Sequence, residues 1–308
     1  MSTAYLTHPD CLLHVAEDGH PESPERLRAI RRSLESSGLW PRLHHVEAPT
    51  ATIDQIARIH TRDHIETVEV ASPESGYVNL SFDASMNPHT WQAALRAAGA
   101  GIQAVDMVMF EEVDNAFCAV RPPGHHADRD LSMGFCIFNN VAIAAAHAIA
   151  EYGLERVAII DLDVHHGNGT EAIFRRNPKM MVCSLFEHPL YPMCGATSST
   201  QRIINVPLPA GTDGPAYRRA FSETCLPWLD DFKPEFVFIS AGFDTHQEDE
   251  MAHFDLQDHD YAWLTRQIVD LARRHAGGRL VSILEGGYNT DSLARSVVVH
   301  IGELLRDE

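Results

Sequence analysis

The sequence predicts a single α/β domain over residues 1–308, with a central, mostly parallel sheet and helices on both faces. Three observations carry this expectation. Five short runs rich in Val, Ile and Phe lack the alternation of a half-exposed strand, which suits strands buried on both faces. Helical patterns lie between the runs. The unusual polar residues gather just past the C-terminal end of each run, the edge at which open α/β sheets bind ligands.

The elements follow in order. Ala71 to His89 has no clear periodicity and reads as a surface loop. HTWQAALRAAGAGIQAVDMVM has helical spacing and many alanines, so it reads as a buried helix. NAFCAV is the first run and ends in RPPGHHA. NNVAIAAAHAIAEYG is helical, and VAIIDLDV then ends in HHGNGT. MMVCSLF ends in EHPLYP, and EFVFISAGF in DTHQEDE. YAWLTRQIVDLARRHA is a further helix, and LVSILEGGY ends in NTDS. Nothing repeats, and nothing marks a second domain.

At 308 residues the chain is long enough to bury a sizeable core. Its formal net charge is −19, and Lys179 and Lys233 are its only lysines. That balance argues against a nucleic-acid-binding face. It suits solubility and is compatible with a cationic substrate. Cys11, Cys118, Cys136, Cys183, Cys194 and Cys225 form no C-x-x-C pair. No signal-peptide pattern opens the chain, and no apolar run approaches the roughly 18–20 residues of a membrane span. The expectation is a soluble, reduced, cytoplasmic protein with no membrane partner.

The chemistry begins at DLDVHH. On a continuing strand Asp161, Asp163 and His165 share one face, because side chains alternate. Two carboxylates and an imidazole converging on one point suit a divalent metal such as Zn²⁺. A third ligand must come from elsewhere. Asp244 follows an apolar strand in SAGFDTH, while Glu285 and Tyr288 stand similarly in LEGGYN. Asp244 is the choice here. His246 lies further into its loop and reads as a rim residue. Three protein ligands and one open position form the pattern of a catalytic zinc.

His125 and His126 follow two prolines and a glycine, in a constrained loop. Two imidazoles outside a ligand set suit proton transfer, each oriented through its second ring nitrogen. Asp161 and Asn168 are available as partners, a carboxylate favouring the charged imidazole and an amide only orienting it. Tyr288 places a phenol near the Lewis acid, where it could stabilise an oxyanion. Together these residues describe metal-assisted hydrolysis of a carbonyl compound.

RPPGHHA, MGFCIFNN, DLDVHHGNGT, SAGFD and EGGYN occur in the order and spacing of the zinc-dependent histone deacetylases, and GHPESPERL resembles their first loop. The chain thus resembles that family over nearly its whole length, with its arginase/deacetylase-like fold. Asn168 in HHGNGT resembles the class II branch and its bacterial amidohydrolase and acetylpolyamine amidohydrolase relatives. The resemblance implies zinc on Asp163, His165 and Asp244. It implies His126 as general base, paired with Asn168, and His125 paired with Asp161. It implies Tyr288 as the group that polarises the acyl carbonyl. Gly134, Phe135, Tyr191, Met251 and Gly287 would line the substrate tunnel. A structural potassium ion would use Asp161, Asp163, His165, Ser184 and Leu185, and a second one Phe174, Asn177 and Met180. The implied reaction is direct attack by water with no covalent acyl-enzyme.

The substrate implied is acetyl-lysine in a peptide or protein. The rival is an acetylated polyamine. Polyamine-selective relatives can carry a glutamate seven residues after the third zinc ligand, and here that position is Met251. Glu250 and Glu248 stand nearby and could attract a cation. The arginase alternative, with two manganese ions, wants a further bridging carboxylate where this chain has His246. A non-catalytic scaffold would lack a ligand or the tyrosine, and this chain keeps both. A homo-oligomer is left open, and a short chain without tails fits a bacterial enzyme.

Overall fold

The computed structural model describes residues 1–17 and 19–307. Its strands are β1 (Thr3–Thr7), β2 (His44–Glu47), β3 (Val78–Asn79), β4 (Ser85–Met86), β5 (Asn115–Cys118), β6 (Val157–Asp161), β7 (Met180–Glu187), β8 (Ile203–Leu208), β9 (Phe236–Ala241) and β10 (Leu280–Leu284). Eight of them form one sheet in the order β2-β1-β5-β10-β9-β6-β7-β8. Every neighbouring pair in it is parallel. Parallel neighbours cannot be joined by a tight turn, so the connections must cross over, mostly as helices.

Those helices are α1 (Glu25–Ser36), α2 (Ile53–Ile56), α3 (Arg62–Val70), α4 (Thr90–Met109), α5 (Asn140–Tyr152), α6 (Asn168–Phe174), α7 (Gly214–Ala220), α8 (Leu226–Phe232), α9 (Asp258–His275) and α10 (Thr290–Leu304). The alanines of α4 let it lie against α5, and α10 packs between α1 and α9. Every residue of β5, β6, β7, β9 and β10 is buried, as expected for strands covered on both faces. The single α/β domain expected from the sequence is the observed fold. Among the described residues no helix is long and apolar enough to cross a membrane.

Two expectations need correction. The five apolar runs are β5, β6, β7, β9 and β10, but the sheet also contains β1, β2 and β8. β2 is an edge strand of sequence HHVE with little burial, so it carries no apolar signature. β8 is the opposite edge and ends in the sequence VPL, where the proline interrupts the apolar run. The segment from Ala71 to His89 is not simply a loop, since β3 and β4 pair there as an antiparallel ribbon with Ala84 and Met86 buried.

The four middle strands, β5, β10, β9 and β6, are direct neighbours although they are scattered through the chain. Because all point the same way, the segments leaving their C-terminal ends share one edge of the sheet. Those segments carry Gly124–His126, Gly286–Tyr288, Asp244 and Asp163–His165 respectively.

Candidate active site

Asp163, His165 and Asp244 converge there, each offering a ligand atom within 4.8 Å of the others, and all three are buried. The route to this geometry differs from the sequence expectation. β6 ends at Asp161, so Asp163 and His165 lie beyond the strand rather than along one of its faces. The Asp161 carboxylate accepts the Asp163 N–H (3.1 Å), and the Asp163 carboxylate accepts the His165 N–H (2.9 Å). Aspartate side chains compete in this way with the strand ladder and curl the backbone. Asp161 consequently turns towards His125, leaving the cluster to the other two residues and Asp244.

The cluster is set up for a cation. His165 Nδ1 lies 3.0 Å from Asp163 Oδ1 and 3.2 Å from Asp244 Oδ2. Burial opposes charge on His165, but the two carboxylates outweigh it and push its pKa up to about 10. Burial and the neighbouring Asp163 push Asp244 up to about 7. Asp244 Oδ2 is buried without a hydrogen-bond partner among the described residues. Its nearest polar neighbour is the His165 ring, and two buried carboxylates sharing one imidazole are costly unless a cation joins them. Gly286 closes the floor. Its N–H donates to Asp163 Oδ2 (2.8 Å), and a Cβ there would stand 2.1 Å from Asp244 Oδ2.

The two loop histidines are buried beside the cluster, their rings 4.0 Å apart. His125 Nδ1 is 3.0 Å from Asp161 Oδ2, and His126 Nδ1 is 2.7 Å from Asn168 Oδ1. The partners differ and so do the titrations. Burial opposes charge on His125, but Asp161 and Asp163 outweigh it and hold its pKa well above the ordinary value. Burial, then the charge of His125 and His165, holds His126 well below it. The charged form is thus favoured on His125 and the neutral form on His126. Asn139 caps α5 by accepting the Ala142 N–H (3.0 Å), and its amide donates to Ala127 O (3.0 Å), which anchors the histidine loop to the helix. Glu285 stands outside this cluster. Its Oε2 accepts the Gly124 and His125 N–H groups (2.7 and 3.1 Å) and holds that loop from below.

A buried ion network joins the histidine loop to the tyrosine loop, and sequence reasoning missed it. Arg26 donates to Gly287 O (2.6 Å) and to Glu285 O, and its guanidinium lies 5.1 Å from the Tyr288 ring centroid. Glu22 bridges Arg26 (3.0 Å) to Arg121, at the start of the histidine loop. Asp249 completes the support by accepting the Tyr288 and Asn289 N–H groups (2.6 and 3.0 Å). Both segments, "PESPER" and "VRPPG", stand out in the sequence as motifs, but they lie far apart and nothing in the sequence pairs their charges. Burial would raise the pKa of Glu22, but Arg121 and His14 outweigh it and hold it well below the ordinary value. Its stabilising contribution is therefore complete above the ordinary glutamate value and fades as pH falls towards the lower folded one. Glu22→Gln strands two buried guanidinium groups. It should cost about 3–5 kcal/mol in urea-denaturation stability at pH 7, and the difference from the parent protein should shrink in acid.

The remaining residues expected at the site fall as follows. Phe135 packs edge-on against Tyr288 (5.9 Å between centroids), and Tyr191 packs edge-on against His126 (5.1 Å). Gly134 has φ +57°, and a Cβ there would lie 2.3 Å from the His126 ring. The Gly287 carbonyl is turned to Arg26. Met251 lines a cavity of about 390 Å³ with Tyr288, Asp249, Glu250 and Asp291. Ser184 and Leu185 are buried on β7 with Ser184 in register with Asp161, and Ser184 Oγ has no hydrogen-bond partner among the described residues. Phe174 and Asn177 line a separate cavity with Arg58 and Arg129, at the end of α6 leading to Met180. His246 corrects an expectation. It is buried rather than at the rim, 3.2 Å from Asp258. Glu248 is 2.8 Å from Arg295, which it shares with Asp258 (3.1 Å).

Comparisons with known proteins agree with this geometry. A family model described as the histone deacetylase domain matches residues 20–304. A histone deacetylase-like amidohydrolase of Pseudomonas aeruginosa is 39% identical over 281 residues, 89% of this chain and 74% of that protein. The polyamine deacetylase HDAC10 of Homo sapiens is 36% identical, over 100% of this chain and 48% of that protein. The crystal structure of the HDA15 HD domain superposes with a TM-score of 0.92 at 37% identity, covering 99% of this chain and 89% of that one.

Proposed function

Because the chain belongs to the histone deacetylase family, we propose that it is a zinc-dependent amidohydrolase that removes acetyl groups from lysine side chains of peptides or proteins. The observation that carries this reading is the buried convergence of two carboxylates and an imidazole, with His126, held by Asn168, alongside.

The donor set fits a catalytic divalent ion, with Asp163, His165 and Asp244 as the residues that would hold it. When bound, such an ion supplies Lewis acidity at the acyl carbonyl and lowers the pKa of water. The side chains do the rest. His126, kept neutral by burial and by cationic His125, takes the proton of the attacking water. Asn168 holds its ring in the orientation this needs. The Tyr288 hydroxyl donates to the developing oxyanion. A histidine returns the proton to the departing amine, so acetate and a free amine leave. Phe135, Gly134 and Tyr191 supply apolar walls for the aliphatic stem of the lysine, with Gly287 and Met251 near the mouth. A structural potassium at Asp161, Asp163, His165, Ser184 and Leu185 is supported by the orphaned Ser184 hydroxyl. A second one at Phe174, Asn177 and Met180 has less support, since Arg58 and Arg129 share that cavity.

Acetylated polyamines are the second reading. Exposed Glu250 and Asp291 in the cavity beside Tyr288 favour it. Apolar Met251, and Glu248 turned to Arg295, favour the peptide. The deciding experiment compares kcat/KM for an acetyl-lysine peptide and an acetylated polyamine on zinc-reconstituted protein. We expect the chelator-stripped protein to be inactive, zinc to restore it, and the peptide to lead by at least about tenfold. A lead for the polyamine would transfer the assignment to the second reading. Inactivity on both after zinc loading would remove both.

A further inference from the structure

On the reading that this is an acyl-lysine hydrolase, we propose that Phe82 is a specificity residue that receives an apolar side chain flanking the acetyl-lysine of a peptide substrate. Phe82 is fully exposed, the most exposed of the large apolar residues. It is held there by structure. It sits in the turn joining β3 to β4, which is closed by the Leu80 N–H donating to Ala84 O (2.8 Å) and by Ser81 Oγ donating to Asp83 Oδ1 (3.2 Å). Ala84 and Met86 are buried and fasten the ribbon to the body. The next residue ties the turn to the tunnel, since Asp83 O accepts the Phe135 N–H (3.1 Å).

Phe82 does not stand alone. Leu131 is exposed three residues before Gly134, and Met193 is exposed two residues after Tyr191. The two stretches that hold Gly134 and Tyr191 thus each carry a large apolar side chain into water within three residues of a proposed wall. Apolar residues scattered singly over a surface are ordinary, but an exposed ring on a turn hydrogen-bonded to a proposed substrate wall suits an interaction surface. The occupant must bring apolar area outside the tunnel while its acyl-lysine is inside. A polyamine is a thin cationic chain with nothing of that kind. A peptide offers side chains on both sides of the lysine, one of which could reach a ring on the turn tied to Phe135.

The test is a set of acetyl-lysine peptides with Leu, Phe, Gly or Glu at the positions flanking the lysine, together with a single-residue acetyl-lysine amide. The parent protein should favour Leu or Phe over Gly by about tenfold in kcat/KM, equivalent to about 1.4 kcal/mol, mostly through KM. Phe82→Ser should reduce that preference to about twofold, and Phe82→Leu should keep most of it. An equal preference in Phe82→Ser, or none in the parent protein while the amide is hydrolysed, would overturn the assignment and leave the deacetylase reading standing. No turnover of any substrate, the amide included, would overturn both.

Discussion

His126→Ala should lower kcat by about 10²–10⁴-fold, the range that a positioned general base contributes, with the metal content unchanged. The role follows from its surroundings. His126 is buried, accompanied by a cationic neighbour, and joined through Nδ1 to an amide rather than a carboxylate. It touches none of the three candidate ligands through a hydrogen bond, so its loss should not empty the site. The measurement is single-turnover acetate release together with metal analysis of the same sample. Full activity in the variant would remove His126 from the mechanism. Loss of both activity and metal would make it a structural support of the site instead.

Tyr288→Phe should lower kcat by about 10²–10³-fold while changing KM little, because an oxyanion donor acts on charge that develops only in the transition state. The ring should stay where it is. Arg26 lies over one side of it, Phe135 packs edge-on, and Asp249 fixes its backbone N–H, and none of these contacts uses the hydroxyl. The substitution therefore removes one O–H and little packing. An effect confined to KM would mean that the phenol binds substrate without stabilising the transition state.

The sequence carried much of this site because its chemistry is concentrated in short motifs. Asp163, His165 and Asp244 were legible because carboxylates directly after buried strands are costly unless they hold a cation. The pairing of His125 with Asp161 and of His126 with Asn168 could be anticipated because all four residues lie within two nearby segments. Glu22, Arg26 and Arg121 could not be paired in the same way. Ion pairs between distant segments leave no periodicity, and an arginine in "SPERL" looks like any surface arginine until burial is known. The strands β1, β2 and β8 escaped for a related reason, as strand reading depends on long apolar runs and a sheet's margins do not need them. His246 is buried against expectation because its loop folds back, so that distance along the chain from Asp244 does not carry it to the surface.

The position of β10 has a consequence for synthesis on the ribosome. It is the last strand to emerge, yet it lies between β5 and β9 in the middle of the sheet. Until it is inserted, β2-β1-β5 and β9-β6-β7-β8 are two separate partial sheets, each with an unpaired inner edge of the kind that recruits other chains. A nascent chain that has already made Asp163, His165 and Asp244 still has no Gly286 to close the floor beneath them. The last strand and the helix after it thus decide at one stroke whether the two partial sheets become one and whether the pocket exists. A chain released before that point would be left with two sticky edges and an open-bottomed cluster of acids.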